Sequence, residues 1–294
     1  WGLTDYVGAV TDGTYGAVGL DFKSPHTGLA AKKVWFFFDK TYVCLGTDIS
    51  SRMKNQVLTT VNQCLLNGQV TVSDADGIHP QERGSRMKKG VRWVVHDRVG
   101  YYFLNKENVI LSNQRTEGSW KIANRQTTTP TDIIQQDVFT LSVDHGSYPN
   151  NEGYAYMVVP SADPLSIEKQ VEEEGVVVLA NCPDVQAVRH DGLNMAYAVF
   201  YKGGTLRIHD KIVVEMDAPG MLMVKYNDAG EILTLGVSDP TRFMKKLHLS
   251  VNQRIVGTAQ ENIQTEWDGK QALTRISVDL PQNEYAGKSV IYNK

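Results

Sequence analysis

Three histidines in this sequence stand beside aspartates, in the pairs His96-Asp97, Asp144-His145 and His190-Asp191. An imidazole next to a carboxylate can move a proton near neutral pH. Neighbours along a strand point to opposite faces, so adjacency alone makes no dyad, and a structural histidine is the stronger reading for each. A second group is the run Glu82 to Gly90, ERGSRMKKG, with four cations in a glycine-bounded stretch that reads as a loop. Arg83 and Arg86 could fork onto sulfate or carboxylate groups, or the run could simply be solvated. Asp12 and Asp21 bracket the glycine-rich stretch GTYGAVGL, where hard oxygen ligands would suit calcium and turn chemistry is the plainer alternative. Trp35, Trp93, Trp120 and Trp267 are either core residues or, at a groove edge, platforms for a sugar ring. HExxH, GxSxG, GxGxxG and GxxxxGK[ST] do not occur.

The chain that must position these groups has 294 residues, 41% of them hydrophobic and 21% charged, as expected of a globular protein with a substantial core. A net charge of -3 supplies no global attraction to nucleic acid, so affinity for any polyanion must come from a local basic patch. No apolar run approaches the roughly 18 residues of a membrane helix. Trp1 opens the sequence without methionine or a leader pattern, which suggests processing or excision from something longer. Cys44, Cys64 and Cys182 are too few and too widely spaced for a disulfide framework or a CxxC metal site, and read as buried free thiols.

The dominant hydrophobic period is two. Short runs rich in Val, Ile, Tyr, Phe and Thr recur between turn signals such as Asn67-Gly68, Asp76-Gly77 and Asp228-Ala229-Gly230, which predicts a large antiparallel sandwich. In AAKKVWFFFDKTYVCLGTDIS, four large rings are adjacent from Trp35 to Phe38, and Asp39-Lys40 marks a hairpin turn. Successive side chains alternate across a strand, so both faces of this one need cover, from core or from a ligand. Only Ser161 to Glu174 invites a helix, with Ser166 as a cap and Gly175 as the stop. Texture changes around Gly203-Gly204 into a compact meander. The expectation is an all-β chain, a large antiparallel β-sandwich over 1–203 followed by a smaller C-terminal β-sandwich domain over 204–294.

The order of several motifs is more specific than any one of them. VTDGTYGAVGLDF (10–22), AAKKVWFFFDKTYVCLGTDISS (30–51), LTTVNQCLLNG (58–68), RWVVHDRVGYYFL (92–104), GSW (118–120), VFTLSVDHGSYPNNEGYAYMVVP (138–160) and LANCPDVQAVRHDGLNMAYAVFY (179–201) together resemble the β-rich portion of the polysaccharide lyases that cleave chondroitin and hyaluronan. Within that family they are most similar to the chondroitin AC lyases, and DLPQNEYAGKSVIY (279–292) resembles the C-terminus of such an enzyme.

The resemblance implies a supersandwich domain followed by a C-terminal β domain, and an N-terminal α/α toroid that these residues do not include. It implies β-elimination at a uronic acid: a tyrosine removes the C5 proton and protonates the leaving oxygen, asparagine and histidine neutralise the uronate carboxylate, and an arginine assists. Those groups belong to the toroid, with a supporting glutamate in a YExxN-like motif upstream, so no catalytic residue is expected in this chain. It further implies a structural calcium at Asp12 and Asp21, with oxygens near Val10 and Phe22, and no organic cofactor. Trp35 would match an aromatic residue of the cleft wall, leaving Phe36 to Phe38 to fill the sandwich, and Arg83 and Arg86 would reach toward a sulfated glycan. The expected partners are a glycosaminoglycan and the missing toroid, and the expected setting is secreted or periplasmic in a bacterium. The alternative is a stand-alone carbohydrate-binding or structural β module.

Overall fold

A computed structural model describes residues 2–255 and 261–294. The chain divides into two compact units, one of Trp1–Met53, Tyr148–Ala155 and Glu168–Lys294, the other of Lys54–Ser147 and Tyr156–Ile167. Antiparallel strands dominate both, as the period-two pattern predicts. Among the described residues no helix is long and apolar enough to cross a membrane.

The first unit begins with four antiparallel strands, β1 (Val7–Thr11), β2 (Gly16–Lys23), β3 (Ala30–Phe37) and β4 (Tyr42–Ser50). Their pairing sets Val18 opposite Trp35 and Trp35 opposite Cys44. Beneath them lies a sheet of six strands in the order Val176–Cys182, Val185–His190, Met195–Phe200, Gly220–Tyr226, Ile232–Ser238, Val290–Asn293. A further sheet of five follows, Gly204–His209, Ile212–Met216, Lys246–Val251, Leu273–Asp279 and Ile263–Asp268. The strand Met195–Phe200 explains the layering, because each of its residues is buried. Ala196, Ala198 and Phe200 join Leu206, Val214, Leu247 and Ile276 in a core between the second and third layers. Tyr197, on the other face, meets the rings of Phe36 at 5.9 Å and Phe38 at 5.7 Å. A strand apolar on both faces needs a layer on each side, and Met195–Phe200 has both. Its sheet takes strands from before and after residue 203, with Met195–Phe200 paired to Gly220–Tyr226.

In the second unit the strand Val99–Gly118 is long enough to serve two neighbours, pairing Tyr156–Pro160 through Val99–Phe103 and Ile134–Val143 through Val109–Gly118. Ser85–His96 pairs with it, and Gln56–Leu65 pairs with Ile134–Ser147. Here the structure corrects the reading of residues 83–89 as a loop: Ser85 to Lys89 lie in the strand Ser85–His96, held by ladder bonds to Val99–Gly118. The helix is shorter than its charge pattern predicts, Ile167–Glu174 rather than 161–174, because Asp163 turns the backbone first by accepting from the N–H of Leu165 at 2.8 Å. Gly175, at φ 62, ends it. Of the cysteines, Cys44 is buried, whereas Cys64 and Cys182 are only partly so.

Candidate functional site

The aromatic run from Trp35 to Phe38 resolves by alternation. Val34 and Phe36 point inward and are fully buried, while Trp35 is half-buried and Phe37 is 42% exposed. The expectation that Phe36 to Phe38 all fill the sandwich is therefore corrected at Phe37, which shares the face of Trp35. Cross-strand partners extend that face: Val7 and Leu20, Ala9 and Val18, then Phe37 and Tyr42. The rings of Phe37 and Tyr42 lie 5.8 Å apart, and Val7, Val18 and Phe37 are all exposed. Large apolar side chains gathered on one sheet face, rather than scattered, mark a surface built to be covered. Sequence reasoning found Trp35 but missed Phe37 and Val18, although the period of two from Trp35 points directly to Phe37.

Lys33 continues this face. Its ammonium stands 5.9 Å over the ring of Tyr154, and burial pushes its pKa below that of an ordinary lysine. Tyr154 is itself buried, its hydroxyl held well above the usual tyrosine range by desolvation. The ring fits because Gly46, the cross-strand partner of Lys33, has no side chain there.

The two arginines are already engaged. Arg83 donates to Asp137 at 2.8 Å and Arg86 to Glu82 at 2.6 Å, so each guanidinium already has a carboxylate. Trp93 is fully buried, while Trp120 and Trp267 are exposed, which separates the core tryptophan from the surface ones.

Nor does the structure assemble the calcium set. The N–H of Asp12 bonds to Tyr15 at the closed end of the β1–β2 hairpin, while that of Asp21 bonds to Tyr6 at the other end. Six residue steps along the strands separate them, which puts the two carboxylates about 20 Å apart. Val10 goes with the first end and Phe22 with the second. Oδ1 of Asp12 accepts the backbone N–H groups of Thr14 at 3.0 Å and Tyr15 at 2.9 Å, and Oδ2 accepts from the Lys225 ammonium. A lysine thus fills the place of a cation at Asp12, and these four residues do not fit a shared calcium. Sequence spacing put Asp12 and Asp21 near each other only if the strands paired in another register.

Burial would raise the Asp12 pKa, but the Lys225 bond and the two N–H groups outweigh it, leaving the carboxyl below its ordinary value. A carboxyl depressed by folding adds stability above its unfolded pKa, and that stability is lost as pH falls through the folded value. Asp12→Asn is therefore expected to cost about 1 to 2 kcal/mol at pH 7. The gap between mutant and parent should close below pH 3.8, the ordinary value, in urea melts across pH 2 to 7. A constant gap would show that the carboxylate charge is not what Lys225 stabilises.

His96, His145 and His190 are each buried and engaged. Nε2 of His96 accepts from the N–H of Asn67 at 3.0 Å, its ring stacks on Phe139 at 4.3 Å, and burial lowers its pKa. His145 lies 2.9 Å from the hydroxyl of Thr59. Nε2 of His190 lies 2.9 Å from Glu174, under the ring of Phe38. None of the adjacent aspartates is the partner in these contacts. Among the described residues no cluster of three or more His, Cys, Asp or Glu could hold a metal ion.

Residues 1–171 match the family described as "Polysaccharide lyase family 8, super-sandwich domain" and residues 177–248 match "Polysaccharide lyase family 8, C-terminal beta-sandwich domain". The chain is 36% identical to Chondroitinase-AC of Pedobacter heparinus, over 98% of its own length and 38% of that protein. It is 29% identical to a hyaluronate lyase of Thermasporomyces composti, over 96% of this chain and 36% of that one. A chondroitinase AC lyase solved in oligosaccharide complexes superposes with a TM-score of 0.83 at 34% identity, over 98% of this chain and 40% of that chain. The chain thus spans about two fifths of the length of these relatives.

Proposed function

Because this chain belongs to polysaccharide lyase family 8, we propose that it is the β portion of a lyase that cleaves uronic-acid-containing glycosaminoglycan, chondroitin sulfate or hyaluronan, by β-elimination. In this reading it supplies no catalytic residue. It supports the substrate cleft, and a helical toroid elsewhere in the same protein brings the base, the acid and the groups that neutralise the uronate. The observation that carries the reading is the exposed apolar strip of Val7, Val18, Trp35 and Phe37 on a rigid sheet face. Its half-buried indole offers a flat surface to the apolar face of a sugar ring, and its flanks offer a surface for the toroid to cover. The buried, partnered state of His96, His145 and His190 favours structural rather than acid–base roles for them. A secreted or periplasmic setting in a bacterium belongs to the same proposal.

The test is Trp35→Ala in the complete lyase. If the indole lines the cleft, kcat/KM on chondroitin sulfate should fall about 10-fold, with most of the change in KM. Because Trp35 is only half-buried, the melting temperature should change far less than for Trp93→Ala, which empties a fully buried site. Unchanged kinetics in a well-folded variant would remove Trp35 from the cleft.

A further inference from the structure

A cleft of about 750 Å³ opens in the first unit at the far end of β3 from Phe37, between the ends of β2 and β4 and the turn at residues 148–151. Lys23, Ser50, Ser51, Arg52, Tyr148 and Asn150 line it, and its lining contains no carboxylate. Its floor exists because Ala30, small, is the cross-strand partner of both Lys23 and Ser50. We propose that this cleft binds a sulfate- or carboxylate-bearing saccharide unit. The proposal rests on the glycosaminoglycan reading above for the polymer that carries the unit, but the cleft lies apart from the Trp35 face.

The argument is one of donors. Among the described residues neither Lys23 nor Arg52 makes an ion pair, whereas Lys32, on the strand paired with that of Lys23, is taken by Asp48 at 3.0 Å. Asp21 shares the β2 face of Lys23 and feels both Lys23 and Lys32, but makes no salt bridge with Lys23. The hydroxyls of Ser50 and Ser51 each accept a backbone N–H, from Asn151 at 3.0 Å and Met53 at 3.2 Å, which leaves their own hydrogens free to donate. An ammonium, a guanidinium and two hydroxyl hydrogens facing one space with no anion among them describe a site for an oxyanion. Tyr148 turns that class toward sugars. Its ring is 56% exposed, and its backbone sits at φ 54, a left-handed conformation that a bulky residue seldom adopts. The turn is pinned by the Ser51 N–H bonded to the Pro149 carbonyl at 2.9 Å, so the ring is presented rather than mobile with its loop. An exposed ring beside two cations suits a pyranose that bears a negative group.

The test is calorimetry on this chain with a chondroitin sulfate hexasaccharide, alongside Arg52→Ala, Arg52→Lys, Ala30→Leu and Trp35→Ala. Arg52→Ala should weaken binding about 10-fold and Arg52→Lys less, because the charge remains while the fork is lost. Ala30→Leu should weaken it comparably by filling the floor without altering charge. Melting curves for all four variants identify any that misfold, and Arg52→Ala, at an exposed position, should melt with the parent. If the Arg52 and Ala30 variants bind like the parent while Trp35→Ala loses affinity, the cleft is not a site and the function proposed above stands. No binding by the parent chain would also overturn the cleft, while leaving that function to be decided by turnover in the complete lyase. Equal competition by inorganic polyphosphate would overturn the saccharide assignment in favour of a general polyanion site.

Discussion

Incubated with chondroitin sulfate, this chain by itself is expected to produce no unsaturated uronate above background, while a longer protein that restores an upstream helical domain turns the polymer over. β-Elimination needs a base at C5, neutralisation of the uronate carboxylate and an acid at the leaving oxygen. General acid–base groups contribute about 10²- to 10⁴-fold and preorganised charge stabilisation a further 10²- to 10³-fold, so their joint absence reduces the rate to background. The three histidines that stand beside aspartates are each engaged elsewhere: His96 is stacked on Phe139, His145 faces Thr59, and His190 is tied to Glu174 under Phe38. Ultraviolet absorbance of the unsaturated product measures the outcome directly. Turnover by the short chain would sink the supporting role and direct attention to those three histidines through His→Gln variants. Silence from both chains would favour a carbohydrate-binding or structural β module that shares the family's fold.

Gly46→Ala is expected to be the most damaging small substitution in the β1–β4 layer. A Cβ at residue 46 would lie 2.1 Å from Cε1 of Tyr154 and 2.5 Å from its Cζ, well inside van der Waals contact. Tyr154 is 3% exposed, so its ring has no open space to swing into. The ring must move against packed neighbours or the strands must part, at a cost of about 3 kcal/mol. For a chain of this size that corresponds to a fall of roughly 5 to 10 °C in melting temperature. Gly118→Ala, where a new Cβ meets nothing within 4 Å, is the control and should melt with the parent. Tyr154→Ala combined with Gly46→Ala should cost less than the two single changes summed, because removing the ring removes the clash. A Gly46→Ala protein that melts like the parent would show that Tyr154 does not occupy this space in solution. The substitution bears on function as well, since Lys33, whose ammonium faces the Tyr154 ring, lies two residues from Trp35 on the same face.

Both faces of β3 illustrate how far alternation reaches. Trp35 and Phe36 differ by one residue, and that single step separates the exposed apolar strip from a core contact with Tyr197. The pattern was legible because side-chain direction along a strand is a local property, fixed by backbone geometry within two residues. The turn at Asp76-Gly77 was legible for the same reason: Gly77 adopts φ 104, which side-chain-bearing residues avoid. Ser85 to Lys89 misled because their strand is held by hydrogen bonds to Val99–Gly118 rather than by an apolar face of their own, and composition is blind to a partner's backbone.

By itself, then, the sequence determined the all-β class, the hairpins, the absence of common catalytic signatures and, through the order of its motifs, the lyase family. Tertiary structure alone decided that Asp12 meets Lys225 instead of Asp21, that Arg83 and Arg86 are spent on Asp137 and Glu82, and that Lys23, Arg52 and Tyr148 share a cleft. The reason is physical: periodicity and turn chemistry are encoded within a few residues, whereas strand register and the stacking of layers arise from non-local burial, and a site made at the ends of several strands inherits its geometry from those.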